Sequence, residues 1–409
     1  MERALTFSTA GWALANGLFY SISALYFTQV IGLSAATVGW GLSVAGGVGV
    51  LCSLLGGRLA DRVPADRIMQ VSGIAQAVGL LVYVTADDAL SFVLVASAVS
   101  GARSVQGSAR QAMLAQWFSG RDRVAVRARL HVVLNVFIGV GTVLAALPLL
   151  VGTPAAYHAT IVLVGVLALL AVVPVVGLRH RVPGLLERLG RRASPEEAAA
   201  PRVSPLRDRT YLTATLLTSL MALQFGLQGV VVPLWIAERT DAPHVMVSVV
   251  LVTNTVLVAL TQVRVSRGTE DVAVSGRAVR RAGFLLLAAC LVFPLSGWSA
   301  LSVPVVVAVL LLAGVLATFG EVWGEAGSWG LSFELADPRA AGAYQGVSQT
   351  GMALAGMLAP GVLTSVVLGT GAPGWAVVGV GFAVVGSLTV VLADRVARRR
   401  PVADEVLAA

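Results

Sequence analysis

Four charged residues, Arg103, Arg110, Glu321 and Glu325, interrupt stretches of sequence that are otherwise largely apolar. The two arginines are seven residues apart and the two glutamates four apart, so each pair shares one face if its segment is a helix. Burial of a charged group in an apolar setting costs free energy unless the group has an oppositely charged or hydrogen-bonding partner. The chemistry open to this set is proton binding, recognition of a charged ligand, or ion pairing between helices.

The segments that carry these residues are hydrophobic enough to cross a membrane. Hydrophobic residues make up 57% of the chain and charged residues 12%, with a mean hydropathy of +0.84, whereas about a quarter of the residues in a soluble domain are charged. Apolar stretches of roughly 20 residues, which cross about 30 Å of hydrocarbon, recur throughout. We predict an all-α membrane protein whose twelve spanning helices begin near Ser8, Thr37, Asp66, Ala89, Ala128, Tyr157, Thr210, Pro243, Arg281, Ser302, Gly342 and Gly374.

The distribution of charge predicts the orientation of these helices. The net charge is +8, there is no lysine, and the arginines fall almost entirely on alternate loops. By the positive-inside rule, both termini and the long middle loop lie in the cytoplasm, and we predict a bacterial cytoplasmic membrane protein. The arginines are scattered over short loops instead of forming one basic face, so the sequence predicts no nucleic-acid partner.

A basic, proline-containing stretch near the middle divides the apolar segments into two sets of six. We predict an N-terminal six-helix bundle over residues 1–178, a cytoplasmic linker over 179–209, a C-terminal bundle over 210–394 and a cytoplasmic tail over 395–409. Repeated helical halves are common among transporters. When Asp122 after helix 4 is set opposite Asp337 after helix 10, Gln106 aligns with Glu321 and Arg110 with Glu325.

Residues for metal or catalytic chemistry are sparse. The two cysteines, Cys52 and Cys290, each lie within an apolar segment, and the four histidines share no ligand-like spacing. No phosphate-binding loop that ends in lysine occurs, because the chain has no lysine. We predict no metal, no cofactor and no enzymatic activity.

Two short motifs place glycine and charged or polar residues at defined spacings. At the end of helix 2, Gly57 is followed after three residues by Asp61 and Arg62. This motif resembles the cytoplasmic signature of the major facilitator superfamily, although Pro64 and Asp66 depart from its later part. In helix 4, the set Arg103, Gln106 and Gly107 resembles the family's arginine motif. The corresponding loop after helix 8, residues 263–268, has two arginines but no acidic residue.

The resemblance implies two pseudo-symmetric six-helix bundles around a central cavity lined by helices 1, 4, 7 and 10. It also implies that Asp61 acts as a gate by binding the start of helix 11. Glu321 and Glu325 would then face Arg103 and Arg110 across the cavity, either to couple protonation to movement or as static salt bridges. Polar and aromatic residues that line the cavity, or that merely join helices, are Asn16, Tyr20, Ser23, Tyr26, Gln224, Gln228, Trp323 and Gln349.

The sequence therefore predicts a secondary active transporter, most like bacterial twelve-helix drug or metabolite efflux members of the family. The expected partners are protons, an amphipathic small molecule and the lipid bilayer, and we expect a monomer. The antiport subclass is not secured, because the glycine and proline motif expected in helix 5 is reduced to Gly139, Gly141 and a distant Pro148. Proton symport or facilitated import of a nutrient is the alternative, followed by a transport-inactive sensor or scaffold.

Overall fold

The computed structural model describes residues 1–185, 204–243 and 245–399. Most of the predicted linker and tail therefore lies outside the described residues. Twelve long helical segments correspond to the predicted spans, and we number them α1 to α12. Their bounds are α1 Glu2–Leu25, α2 Ala35–Ala60, α3 Ala65–Val82, α4 Ala89–Trp117, α5 Gly120–Leu144, α6 Pro154–Leu170, α7 Arg209–Ala222, α8 Val245–Val265, α9 Val272–Val292, α10 Val303–Glu334, α11 Ala341–Thr370 and α12 Ala372–Arg399.

Ten helices in the described part of the chain are long and apolar enough to cross a membrane, which confirms ten of the predicted spans by length and composition. The segment that starts with α7 counts as one span because it continues through Gln224–Gly226, Leu227–Val231 and Val232–Arg239. The helix α1 is not among the ten, and α6 is a shorter apolar helix of 17 residues. These two remain predictions as membrane spans.

Three predicted starts are wrong by six or more residues. The helix α1 begins at Glu2 instead of Ser8, α5 at Gly120 instead of Ala128, and α9 at Val272 instead of Arg281. Hydropathy locates only the apolar part of a helix, and these three helices each extend into polar sequence. Of the three, α9 begins at a side-chain cap, in which Asp271 accepts a hydrogen bond from the backbone N–H of Val274 at 2.8 Å.

Capping residues set the start of α4, the helix that carries Arg103 and Arg110. The side chain of Asp88 accepts a hydrogen bond from the backbone N–H of Ser91 at 2.7 Å, and Oγ of Ser91 accepts one from the backbone N–H of Asp88 at 3.2 Å. This is a capping box. The hydrogen bond from Ser91 lowers the pKa of Asp88, which keeps the cap charged near neutral pH.

The two halves share one irregular feature that the sequence did not reveal. The first helix of each half contains a π-helical turn, Tyr26–Val30 after α1 and Leu227–Val231 after α7. Such turns insert an extra residue into a helix and are frequent at functional sites. Their equivalent positions support the predicted internal repeat.

The chain folds into two compact units, each with its own apolar core. Unit 1 comprises residues 1–119, 129–205 and 336–353, and unit 2 comprises 120–128, 206–335 and 354–409. This division differs from the predicted one in two short segments. The start of α5 belongs with unit 2, where its arginines form ion pairs. The start of α11 belongs with unit 1, where its backbone N–H groups bind Asp61.

Candidate functional site

In unit 1, Asp61 binds the start of α11. Its Oδ1 accepts a hydrogen bond from the backbone N–H of Gly342 at 2.7 Å, and its Oδ2 accepts one from Ala343 at 2.8 Å. Both N–H groups lie in the first turn of a helix, where they have no partner within the helix itself. The carboxylate therefore caps α11 from a different helix and also meets its positive end.

Three glycines permit this contact. A Cβ atom at Gly57 would lie 2.5 Å from the carbonyl oxygen of Gly342 and 2.6 Å from the α-carbon of Gly346. A Cβ atom at Gly346 would lie 2.9 Å from the α-carbon of Gly57. Because the obstructing atoms are backbone atoms, no side chain can move aside to make room. The glycine of the predicted gating motif thus lets α2 and α11 touch along their backbones.

The neighbouring motif residues have different surroundings. The side chain of Arg62 is exposed, with no hydrogen bond or ion pair to the residues that the structure describes. Pro64 is the N-cap residue of α3, and Asp66 in the first turn of that helix is fully buried. The later part of the motif, where the sequence departs from the family, therefore belongs to the packing of α3.

The two arginines of α4 contact aromatic residues of α1. Arg103 donates a hydrogen bond to the hydroxyl of Tyr20, and its Cζ lies 5.9 Å from the centre of that ring. The Cζ of Arg110 lies 5.1 Å from the centre of the Trp12 ring. Cations attract aromatic faces at this range. Unit 1 thus presents a guanidinium beside Tyr20, whose side chain is half-exposed at 52%.

The other residues of the helix 4 motif point elsewhere. Gln106 is buried beside α3, where a Cβ atom at Gly73 would lie 2.6 Å from its Nε2. Gly107 faces α11, because a Cβ atom there would lie 3.4 Å from Nε2 of Gln349. Of the three motif residues, Arg103 alone meets a residue predicted to line the cavity on α1.

In unit 2, Glu321 is part of a polar cluster that joins three helical segments. Asn254 of α8 donates a hydrogen bond from Nδ2 to Oε2 of Glu321 at 2.7 Å. The same Nδ2 lies 3.0 Å from Oε1 of Gln228, in the π-turn after α7, and 3.2 Å from Oγ1 of Thr318. Glu321 is 3% exposed. We call these four residues the Asn254 cluster.

Glu325, one turn further along α10, is also buried and interacts electrostatically with Arg127 of α5. The Cζ of Arg127 lies 5.0 Å from the centre of the Trp329 ring. Two further arginines at the start of α5 form ion pairs in this unit, Arg121 with Glu270 at 3.3 Å and Arg123 with Glu334 at 3.8 Å.

The structure thus gives the glutamates and arginines of the predicted set different near neighbours. Arg103 and Arg110 belong to unit 1, while Glu321 and Glu325 belong to unit 2. Their pairing with one another stays a prediction. Arg127 is the partner of Glu325 that the sequence analysis missed, since it counted this arginine only as part of the cytoplasmic basic charge.

The remaining residues predicted for the cavity fall into two groups. Gln224 packs against α10 near Gly324, and Ser23 and Gln349 are partly buried. Three others are used within their own units: Asn16 bonds to the backbone of Trp12, Tyr26 is fully enclosed in an aromatic core with its hydroxyl on the carbonyl of Tyr83, and Trp323 is covered by the guanidinium of Arg281.

The place of these last three in the cavity stays a prediction. Sequence reasoning also missed Thr318, whose position three residues before Glu321 is the one signal that could have found it. In the described ranges, no group of three or more His, Cys, Asp and Glu residues could hold a metal ion.

Comparison with known proteins agrees with this architecture. Among solved structures, the human organic anion transporter MFSD10 (TETRAN) has a TM-score of 0.71 and 19% identity, covering 95% of this chain and 98% of that chain. A bacterial homologue of the iron transporter ferroportin, in an outward-facing state, has a TM-score of 0.72 and 13% identity over 97% and 99%. The proton:xylose symporter XylE has 0.66 and 13% over 98% and 96%. A search of curated proteins finds no match.

The ten long apolar helices in the described part of the chain and these similarities define a multi-pass, all-α membrane protein with the fold of those structures. The sequence profile of the Major Facilitator Superfamily matches residues 5–360. The chain belongs to that family, whose members carry small molecules through a lipid bilayer.

Proposed function

We propose that this protein is a secondary active transporter that couples proton movement to the export of an amphipathic small molecule, with Glu321 as the proton-binding carboxylate. The observation that carries the proposal is the Asn254 cluster. A buried carboxyl group in a membrane helix is a functional candidate by default, because its charge is expensive there. Bacterial cytoplasmic membranes with both termini inside are the setting that the arginine distribution favours.

The cluster offers a way for protonation to change helix contacts. An amide NH₂ group has two hydrogens, yet three oxygens, from Gln228, Thr318 and Glu321, lie within 3.2 Å of Nδ2 of Asn254. A charged Glu321 competes strongly for one of those hydrogens, since bonds to ionised groups are roughly twice as strong as neutral ones. Protonation of Glu321 weakens its hydrogen bond with Asn254. Nδ2 of Asn254 can then donate that hydrogen to Gln228 in the π-turn after α7.

The contact between Asp61 and α11 is the proposed gate. Substrate can pass on that side only if α2 and α11 separate, which breaks two hydrogen bonds to one carboxylate. The contact therefore stabilises one state of the transport cycle. A substrate or proton that binds one of the two states more tightly shifts the population of the protein towards that state.

An anion-bearing amphipathic molecule is the first substrate class to test. Tyr20 and Arg103 together present a half-exposed ring and a guanidinium, which suit a planar apolar body and an acidic group. The human organic anion transporter shares the fold, and this similarity supports the choice of class only as a starting point.

Reconstituted vesicles containing a trapped pH indicator test the coupling. The probes are taurocholate as an amphipathic anion, ethidium as a lipophilic cation and xylose as a neutral sugar, each applied with a pH gradient in either direction. We expect taurocholate to move against proton flow, and the Glu321→Gln variant to bind substrate but to lose gradient-driven movement. Glu238→Gln, an exposed carboxyl outside the cluster, is the matched control and should transport normally.

The outcomes separate the alternatives. Movement of the substrate and protons in the same direction would replace export with symport. Unchanged coupling in Glu321→Gln, with normal expression, would exclude the proton role of that residue. Downhill movement that ignores the pH gradient would make the protein a facilitator.

A further inference from the structure

We propose that unit 2 carries a binding site for an anionic phospholipid between α9 and α12. Arg277 and Arg280 of α9, with Arg395 of α12, would bind the phosphate, and the groove beside them would hold an acyl chain. This site is separate from the Asn254 cluster and does not depend on the proposed function.

The acyl-chain part is an open groove between α9 and α12, with a volume of about 350 Å³. Its lining is hydrocarbon apart from one hydroxyl, that of Ser387, which already bonds to the carbonyl of Ala383 at 2.8 Å. The groove can therefore hold a hydrocarbon chain without leaving a polar group unsatisfied. The lining residues are Phe284, Leu287, Val380, Ala383, Val384, Ser387 and Leu388.

The arginines continue the stripe of α9 that lines the groove. Arg277, Arg280, Phe284 and Leu287 follow one another at steps of three, four and three residues, so they share one face of the helix. Arg277 and Arg280 are exposed, and both precede the groove along α9. The positive charge therefore lies at one end of an apolar channel.

The partner helix brings a third arginine to the same end. The two helices are antiparallel, because a Cβ atom at Gly276 would meet Ala393 and one at Gly283 would meet the carbonyl of Phe382. The end of α12 is thus level with the start of α9. Arg395, seven residues beyond the groove residue Leu388, is exposed there.

No carboxylate of the described residues lies within 4.0 Å of these three guanidinium groups. Asp394, the one acidic residue of α12, forms no such pair. Arg281, by contrast, stacks over Trp323 with its Cζ 4.9 Å from the ring centre, so we assign it to the packing of α10. Guanidinium groups bind phosphate oxygens in a bidentate manner. A phosphate group could therefore supply the anionic partner that no described carboxylate supplies to these three arginines.

The combination selects a phospholipid over other occupants. The α12 side of the groove spans residues 380–388, roughly 12 Å along the helix at 1.5 Å per residue, which suits an extended chain. Charge at one end and hydrocarbon along the rest is the arrangement of a phospholipid. The arginines lie at the end predicted to be cytoplasmic, where anionic lipids attract basic groups.

Native mass spectrometry of the full-length, delipidated protein tests the site, with phosphatidylglycerol and phosphatidylcholine of identical chains as the two probes. We expect one phosphatidylglycerol to be retained more tightly than phosphatidylcholine. In Arg277→Gln/Arg280→Gln its affinity should fall about 25-fold, at about fivefold for each arginine. The matched control, Arg207→Gln/Arg209→Gln, removes two exposed charges near the start of α7 and should bind normally.

Two further variants separate the parts of the site. Val384→Trp fills the groove without altering the arginines, so it should weaken the binding of both lipids. Arg277→Lys/Arg280→Lys keeps the charge but removes the planar fork, and it should retain intermediate affinity, which keeps the test valid if the glutamine variant fails to fold. Equal loss in the control, normal binding in Val384→Trp, or full displacement by glycerol phosphate would overturn the proposal.

Discussion

The starts of α5 and α11 occupy equivalent places in the two halves, and each packs within the unit formed mainly by the other half, yet the bonds that hold them differ. At α11, one short carboxylate on α2 binds two backbone N–H groups, and glycines bring the backbones together. At α5, three arginines reach out to Glu270, Glu334 and Glu325. One contact is made by backbones and the other by long side chains.

The two contacts differ in how much displacement they tolerate. A carboxylate that caps a helix works only at hydrogen-bonding distance, so the α11 contact is either made or broken. Arginine side chains are long and flexible, so the α5 contacts can lengthen while the charges still attract. We infer that α11 is the more switch-like of the two, and four predictions test this comparison.

The largest effect is expected for Arg127→Met. Arg127 interacts electrostatically with the buried Glu325, and removal of one of two interacting buried charges costs about 3 kcal/mol or more. Arg127 also stacks on Trp329. Thermal unfolding in detergent should show a clear loss of stability. Arg129→Met is the control, because its ion pair with Glu2 is half-exposed and should contribute about 1 kcal/mol or less. Equal shifts in the two variants would show that burial of the α5 contacts is unimportant.

Next is Gly57→Ala, which places a methyl group against the backbone of α11. Overpacking of this kind costs about 1 to 3 kcal/mol, so the population with α2 and α11 in contact should fall. Spin labels at Arg67→Cys and Arg339→Cys, in a background without Cys52 and Cys290, report the separation. Gly47→Ala in the same helix is the control, since nothing lies within 4 Å of its Cβ position. A distance distribution that Gly57→Ala leaves unchanged would contradict the close contact.

A smaller shift is expected for Asp61→Ala, which removes both acceptors at a cost of about 1 kcal/mol. Asp61→Asn keeps one oxygen and loses the charge, so its shift should be smaller still. The same spin labels measure both variants, with Asp87→Asn in the opposite loop as the control. If Asn behaves like Ala, charge dominates the contact; if all three variants match the parent protein, Asp61 is not a gate.

The smallest effect is expected for Arg121→Gln and Glu270→Gln. Exposed pairs contribute about 0 to 1 kcal/mol, and the side chain of Arg121 is 81% exposed. A double-mutant cycle on unfolding at low and high salt should give a coupling that salt removes. A coupling that survives high salt would mean that this pair is as important as that of Arg127.

Much of the contact between Asp61 and α11 could be predicted from the sequence, but much of the α5 contact could not. Gly57 and Asp61 stand in one short motif, and the family resemblance supplied their partner on α11. The loop 263–268 contains no acidic residue. The structure supplies Glu270 just beyond it, paired with Arg121. Spacing could not reveal that pair, because its residues are 149 positions apart.

The class of the protein could be predicted from its residues, because hydropathy and the side of each arginine follow from residue type and order alone. The spacing of Glu321 and Glu325 also predicted that they share one face of α10. Their neighbours, Asn254 for Glu321 and Arg127 for Glu325, are known from the tertiary structure alone. An intramembrane charge needs a partner, and which partner it has depends on how helices distant in sequence pack together.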